Sequence, residues 1–402
     1  METNILDTID KNTLGKELQT ARKRAGLTQE EAAQAIDAAR TTIVAIEKGE
    51  RRIKAGELLK LAQAFGRSPS DFVRPRPKLE SFYVQFRGPY QRTLEDNTEI
   101  SPKIDEFEDF CRDYLELEQL MESPLSRKYP TEYSVSGIPL EQAADEVAKE
   151  ERNRLRLGDG PLLNLRGMLE QEVGLRIFYI PLPAKFSAIY FYTESLGGCI
   201  AVNSLHPFER QRMSLAHDYG HFLTTRISPT LDMEEYYQRL PESERFANTF
   251  ASDFLMPSEG LTRRINDIRK TQGKIILADL LRLAHYYGVS FDALTYRLEE
   301  SKLLPTGTGK SLKENGLRIR EAQRQLGLDA TPLKEETFPQ RYQLLALNAL
   351  ESGQITEGRF ARFLRVDRLE ARRIAATFHT REEERQEGGD IQNLDLTQVV
   401  SV

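Results

Sequence analysis

Two histidines four residues apart place the strongest constraint on how this chain of 402 residues can fold. His217 and His221 lie in a stretch whose apolar residues recur at helical spacing, so a helix would place both imidazoles on one face. Two buried imidazoles without partners would be costly, whereas a zinc ion would satisfy both. The alternative is a core helix in which the two histidines are incidental. We therefore predict a zinc site on a buried helix.

The residue after the first histidine decides what such a site can do. Hydrolytic zinc helices with this spacing carry a glutamate there as the general base. This chain carries Asp218, whose carboxylate is retracted by roughly one bond length, and a misplacement of about 1 Å can cost about 100-fold in rate. Zinc also acidifies a bound water by itself. A slow peptidase, a metal-binding protein without activity and a deliberately weakened variant therefore all stay open.

A tetrahedral zinc needs a third protein ligand, and residues 242–255 are predicted to form the next helix. Glu244 shares one face of that helix with Ala247 and Ala251, small residues that would allow a close approach to the metal. The alternative for Glu244 is a solvated acid in the first helical turn, where the helix dipole favours it. Four competing carboxylates precede the helix or lie off that face: Asp232, Glu234, Glu235 and Glu242.

These segments together resemble the ImmA/IrrE family of zinc metallopeptidases. The likeness extends over roughly residues 140–300. It includes the zinc helix at 209–223, the third-ligand helix at 244–257, short strands within 165–203 and a helix pair around 283–290. The resemblance implies that His217, His221 and Glu244 are zinc ligands. It places Asp218 at the general-base position, where this chain departs from the family.

A second module precedes the metal site. Amphipathic helices are predicted at 14–25, 28–36, 40–47, 55–65 and 69–72, with tight polar turns between them. The segments 26–33 and 42–52 resemble the Xre-type helix-turn-helix of phage repressors, which implies that this module binds double-stranded DNA. Residues 14–76 carry 13 Lys and Arg against 8 Asp and Glu in a chain of net charge −6, the charge distribution expected of a DNA reader.

Phosphate and base contacts in such modules come from the start of the second helix and of the third. We therefore predict DNA contacts by Gln29, Arg40, Thr41, Thr42 and Lys48, with Arg40 as the base contact. The alternative is a module kept for dimerisation or for holding a protein partner.

The predicted fold class is mainly α, with a small α+β zincin-like domain. It comprises an N-terminal five-helix bundle, a central metallopeptidase domain with a short sheet, and C-terminal helices. We predict the helix-turn-helix domain at 1–74, a linker with a strand at 82–87 and a helix at 101–121 within 75–138, the metallopeptidase domain at 139–302, a helical region at 303–379 and a mobile tail at 380–402. The tail alternates apolar residues and would pair as an edge strand.

Two segments after residue 300 carry weaker patterns. Residues 306–310 lack the full phosphate-loop pattern and follow no strand, so a flexible linker is predicted. The helices between 338 and 378 are predicted to form a small platform, with a second helix-turn-helix as the alternative.

The compartment follows from the cysteines and the apolar pattern. Cys111 and Cys199 lie far apart in the sequence and are expected to be free thiols in a reducing compartment. No signal peptide and no membrane-spanning run is visible, so a cytoplasmic protein is expected.

The expected function is a DNA-binding zinc peptidase that controls transcription by acting on a protein partner. The family resemblance implies a partner such as an Xre-type repressor or a toxin, in a stress, mobile-element or defence setting. That partner would be encoded nearby. A homodimer on a palindromic operator is also expected. The alternative is a zinc-binding regulator or antitoxin without catalytic activity.

Overall fold

A computed structural model describes residues 9–67, 69–73, 77, 82–233, 241–328 and 335–386. It divides the chain into two compact units. The first consists of Met1–Tyr83 with Asn97–Glu106, and the second of Val84–Asp96 with Phe107–Val402. The fold is mainly helical with one small sheet in the centre of the chain, so the predicted fold class is confirmed.

The first unit contains the predicted helical bundle. Its helices are α1 Lys11–Arg24, α2 Gln29–Ala35, α3 Arg40–Glu47, α4 Ala55–Ala64 and α5 Ser70–Val73. Thr28 caps α2 by accepting a hydrogen bond from the amide of Glu31, whose carboxylate bonds back to Thr28. Leu18, Ala33 and Ile43 are among the buried apolar residues of its core. The sequence pattern therefore predicted this module well.

The strand predicted at 82–87 is wrong. Those residues begin helix α6, Phe82–Asp96, and helix α7 follows at Ser101–Leu120. Phe82, Phe86 and Leu94 are buried, a spacing of four and eight that belongs to one helical face. Six residues of alternating apolar character were too few to distinguish the two periods.

The second unit contains a four-stranded sheet. Its strands are β1 Arg176–Ile180, β2 Phe186–Thr193, β3 Gly197–Asn203 and β4 Thr230–Met233, in the order β1-β3-β2-β4. β1 runs parallel to β3, whereas β2 pairs antiparallel with both β3 and β4. β4 is consequently an edge strand, and it lies next in sequence to the helix that carries the histidines.

Helices pack around this sheet to form the larger core. They are α8 Leu140–Arg154, the short α9 Leu165–Met168 with a π-helical turn at Leu169–Val173, α10 Phe208–Thr224, α11 Glu242–Leu255, α12 Ser258–Gln272, α13 Leu277–Tyr287 and α14 Phe291–Glu300. α11 packs against both α10 and α8. The two predicted metal-site helices therefore exist and lie side by side.

The C-terminal region is helical as expected, with α15 Thr308–Glu314, α16 Ile319–Gln325, α17 Gln340–Glu351, α18 Glu357–Phe363 and α19 Arg368–Gln386. The flexible linker predicted at 306–310 is instead the beginning of α15, where the amides of Gly307 and Gly309 donate to Glu299. The mobile tail does not begin at 380, because α19 continues to Gln386 through residues of high helix propensity. The predicted edge-strand pairing of the tail lies outside the described residues.

None of the described helices combines the length and the apolar character needed to cross a membrane.

Candidate functional site

The metal-site helices approach each other closely because small residues face each other. A Cβ atom built on Gly220 of α10 would lie 3.3 Å from the Cα of Ala247 and 3.0 Å from a ring carbon of Phe250, both on α11. Only glycine fits there without a shift of the neighbouring helix. The predicted small-residue contact between the two helices is therefore present, and it draws the first turn of α11 towards the two imidazoles.

Three side chains meet where these helices face each other. The Nε2 atoms of His217 and His221 lie 3.1 Å apart. Glu244 bridges them, with one carboxylate oxygen 3.2 Å from Nε2 of His217 and the other 3.3 Å from Nε2 of His221. Two ligands at about 2.1 Å from a tetrahedral zinc lie about 3.3 Å apart. The observed separations therefore fit a zinc site of two nitrogens and one oxygen.

The other ring nitrogens of both imidazoles have neighbours that orient them. Nδ1 of His217 lies 3.0 Å from the side-chain oxygen of Asn248, and Nδ1 of His221 lies 3.5 Å from the hydroxyl of Thr225. Such outer contacts fix the tautomer that presents Nε2 to a metal. Sequence reasoning gave Asn248 no role, although its position four residues after Glu244 placed both on one helical face.

Shared protons hold the three groups together in this structure. Burial favours neutral His217, but its hydrogen bond to Glu244 and the carboxylates of Asp232 and Asp218 raise the pKa of His217 to about 9. Burial lowers the pKa of His221. Against the raising effect of burial, the hydrogen bonds from both imidazoles hold the pKa of Glu244 far below its usual range. A cation would find two nitrogens and a carboxylate already turned towards one point.

Of the competing carboxylates, none among the described residues joins this cluster. Asp232 lies on β4, and Glu242 is the first residue of α11. Glu234 and Glu235 lie outside the described residues. Glu244 stays 27% exposed, whereas both histidines are buried, so the cluster faces solvent on the Glu244 side. A three-ligand set with one accessible side is the arrangement of catalytic rather than structural zinc sites.

Asp218 is fully buried beneath this cluster. One of its carboxylate oxygens accepts a hydrogen bond of 3.2 Å from the hydroxyl of Thr230 on β4, and the other has no hydrogen-bond partner among the described residues. Burial raises the pKa of Asp218 well above its usual range. The shortened side chain therefore contacts the edge strand through Thr230 and presents no exposed surface to a substrate.

A buried polar network fixes α10 from its other face. The Glu151 carboxylate of α8 accepts hydrogen bonds from the hydroxyls of Tyr219 and Tyr133 and a two-pronged pair from Arg154. Tyr219 lies between the two histidines in sequence, so this network sets the rotation of the helix that presents them. No local sequence pattern indicated this role for Glu151.

The predicted DNA contacts lie on α2 and α3 of the first unit. Arg40 donates to the side-chain oxygen of Gln29 over 3.4 Å, and Gln29 donates to Glu47 over 2.9 Å. Glu47 also forms a buried ion pair with Arg22, which fixes the end of α3 against α1. Gln29 and Arg40, predicted to contact phosphate and base, are thus brought together by a network that no local pattern announced.

The other predicted DNA contacts are accessible to different degrees. Arg40, Thr41 and Lys48 are exposed, whereas Thr42 is half-buried. Lys48 directly follows the last residue of α3, the buried Glu47. The assignment of these five residues to DNA remains a prediction.

Comparison with known proteins gives two matches along the chain. Residues 170–299 match the peptidase family described as IrrE N-terminal-like domain, and residues 18–72 match the helix-turn-helix family. The chain joins a helix-turn-helix domain to an IrrE-like peptidase domain. This is the domain fusion that the sequence resemblance implied. The chain therefore carries a helix-turn-helix DNA-binding domain and a metallopeptidase-like domain.

Comparisons beyond these domains add little. No curated protein matches the chain. The crystal structure of ComR from Streptococcus suis is similar over 94% of this chain and 92% of that chain, with 11% identity and a TM-score of 0.16. A TM-score this low carries no argument about fold or function.

Proposed function

We propose that this chain is a DNA-binding transcriptional regulator whose zinc-dependent peptidase domain acts on a protein partner. The observation that carries the proposal is the cluster of His217, His221 and Glu244, whose separations suit one zinc ion. A zinc ion held there would act as a Lewis acid towards a peptide carbonyl and would acidify bound water. The partner, an Xre-type repressor or a toxin encoded nearby, remains an expectation from the family resemblance.

The sheet supports a way for a protein substrate to approach. β4 is an edge strand, and the hydroxyl of its Thr230 contacts Asp218, which follows the first histidine. An extended peptide segment can pair with such an edge through main-chain hydrogen bonds. The segment would then lie along the strand that borders the zinc ligands, and the exposed side of Glu244 would face it.

Loss of the zinc ligands tests the metal site directly. The purified chain is expected to hold about one zinc ion, and His217→Ala with His221→Ala is expected to lose it, since one carboxylate does not retain zinc alone. Asn248→Ala is expected to weaken zinc binding without abolishing it, because removal of such an outer contact costs about 10-fold to 100-fold in metal affinity. A chain without zinc by elemental analysis, refolded in zinc and still empty, would disprove the metal site.

A second function has one observation in its favour. Asp218 is buried and one methylene shorter than the usual base, so the chain can be a zinc-containing regulator or antitoxin that does not cut. The two functions separate when the product of the neighbouring gene is incubated with the zinc-loaded chain. A discrete fragment that requires His217 supports the peptidase. If the Asp218→Glu variant cleaves the partner and the native chain never does, the peptidase function of the native chain is refuted and the second function is supported.

Both functions use the DNA-binding domain and require the chain to be in the compartment that contains the DNA. A cytoplasmic location and a homodimer on a palindromic operator remain predictions. Stress response, defence and toxin neutralisation likewise remain expectations from the family resemblance.

A further inference from the structure

The turn between α2 and α3 has the left-handed backbone geometry with which many of the described helices end. Asp37 adopts a positive φ of 56°, which is uncommon for a residue other than glycine. Its amide donates to the carbonyl of Gln34 over 3.1 Å, and the next amide, of Ala38, donates to the carbonyl of Ala33 over 3.0 Å. This turn sets the angle between the two helices of the DNA-binding motif.

The same turn recurs between α18 and α19 near the C-terminus. Arg365 adopts a φ of 54°. Its amide donates to Arg362 over 3.1 Å, and the amide of Val366 donates to Ala361 over 3.0 Å. α18 has seven residues, as has α2, and Thr356 caps it as Thr28 caps α2. The second turn therefore reproduces the first one, donor by donor and acceptor by acceptor.

The buried positions agree as well. Ala33 and Ile43 of the first motif are buried, and the residues at the equivalent positions of the second, Ala361 and Ala371, are buried too. The face of α19 that carries Ala371 is therefore buried, as is the face of α3 that carries Ile43. α18 and α19, which were predicted to form a small platform, therefore match the first motif in first-helix length, cap, turn and these buried positions.

The same pair of amide bonds and a positive φ also end other described helices, for example at Gly26, Glu122 and Gly316, so the geometry alone is not enough. Gly288, between α13 and α14, has a φ of 62°. Its amide donates to the carbonyl of His285, and the amide of Val289 donates to the carbonyl of Ala284. Its second helix, α14, carries three acidic residues and one arginine. α15 packs against it. An acidic and covered helix does not suit DNA, so this turn serves the packing of the core.

α19 differs from α14 in charge and in exposure. Its first two turns, residues 368–375, carry three arginines and one glutamate. Arg368, Arg372 and Arg373 are exposed, together with Leu369. Arg368 begins α19 as Arg40 begins α3, and Arg372 and Arg373 follow in the next turn of the helix. The exposed arginines therefore lie where such a motif would contact the duplex.

Carboxylates currently hold two of these arginines. Arg372 forms an ion pair with Glu357, the first residue of α18, and Arg373 lies 3.2 Å from Glu370. Exposed ion pairs of this kind are weak, so phosphate can replace either carboxylate. Glu357 occupies the position that Gln29 has in the first motif, where its charge opposes phosphate.

We propose that α18 and α19 form a second duplex DNA-binding site, with phosphate contacts by Arg368, Arg372 and Arg373, weakened by Glu357. The chain then has two DNA contacts, and the second one favours the duplex backbone over its sequence. This site is independent of the zinc centre and of the proposed peptidase activity. An acidic protein surface is the other class of ligand that three arginines attract, and the experiment below separates it from DNA.

The test uses the full chain with its first motif silenced by Gln29→Ala and Arg40→Ala. Fluorescence anisotropy of a labelled mixed-sequence duplex is followed over a series of salt concentrations. The silenced chain is expected to bind still. Adding Arg368→Ala, Arg372→Ala and Arg373→Ala is expected to lower affinity about tenfold or more at low salt. The slope of log Kd against log salt should fall by about 2–3, since each phosphate contact contributes about 0.9.

The matched control removes three exposed arginines elsewhere, by Arg263→Ala and Arg269→Ala on α12 and Arg282→Ala on α13. It has the same change in net charge and should leave the affinity within about twofold, since only contacts at the duplex alter the salt slope. An equal loss of binding in both triple variants would reduce the effect to net charge and overturn the proposal.

Two further variants guard against misfolding and against the protein alternative. Lysine at the three α19 positions should restore binding, because phosphate contacts need charge more than the shape of arginine. Glu357→Gln should raise the affinity several-fold by removing a carboxylate that competes with phosphate. The DNA site is refuted if neither the alanine triple variant nor Glu357→Gln changes DNA binding. If the chain in that case binds a poly-glutamate peptide and the alanine triple variant does not, α19 binds an acidic protein instead.

Discussion

The orientation of the zinc helix depends on one buried carboxylate, which makes Glu151→Ala the most informative single substitution. Glu151 on α8 is fully buried and accepts four hydrogen bonds, two from Tyr hydroxyls and two from Arg154. Removal leaves the hydroxyl of Tyr219 inside the core with Arg154, 3.2 Å away, as its remaining partner. It also leaves Arg154 without its counter-charge.

The structure sets the size of the effect. Arg154 is 28% exposed, so water can solvate part of its charge, and the hydroxyl of the half-buried Tyr133 is also within reach of solvent. The unsatisfied hydroxyl of Tyr219 costs about 1–3 kcal/mol. Removing one partner of a fully buried ion pair costs about 3–5 kcal/mol of unfolding free energy. The cost is smaller here because Arg154 is partly exposed to water. We therefore expect Glu151→Ala to lower the free energy of unfolding by about 3 kcal/mol.

The measurement is urea unfolding followed by circular dichroism, with zinc content determined on the same samples. Glu150→Ala is the control, because its exposed neighbouring side chain should change stability by no more than about 0.5 kcal/mol. Since Tyr219 lies on the zinc helix, Glu151→Ala should also weaken zinc retention below the unfolding transition. Equal stability of the two variants would refute the account of the network, and unchanged zinc affinity would refute its role in orienting α10.

Three further outcomes follow from the same structure. Asp218→Glu inserts a methylene at a site without exposed surface and should cost about 1–3 kcal/mol in unfolding free energy, whereas an unchanged urea midpoint would show free space there. Burial, only partly offset by Arg166, raises the pKa of Glu170 to about 7 from 4.5, so the folded chain binds a proton that the unfolded chain releases. Stability should consequently fall as pH rises from 4.5 to 7, and Glu170→Gln should flatten that fall; parallel pH profiles would contradict the assignment. Burial raises the pKa of the Cys111 thiol, which contacts Cys199 in the core. A disulfide reagent should therefore modify both thiols only as the chain unfolds, and rapid labelling of the folded chain would contradict their burial.

Local pattern was sufficient where one helix had to bury one face. The periodicity around His217 and His221 predicted α10, and residues 242–255 predicted α11 with its observed bounds. The five helices of the first unit followed from caps, breakers and amphipathic spacing for the same reason. The strand at 82–87 was mispredicted because a few alternating residues fit both periods, and β4 was missed because four residues carry little pattern.

The sequence by itself predicted the chemistry of the chain: two histidines at a spacing that suits zinc, an aspartate at the base position, and a basic helical module of the kind that binds DNA. Those properties depend on residue type and on intervals along one helix, which local geometry converts directly into a shared face. The tertiary structure alone decided that Asn248 orients His217, that Thr230 holds Asp218, and that Glu151 fixes the zinc helix. These partners come from separate elements, and only packing brings them within hydrogen-bonding distance.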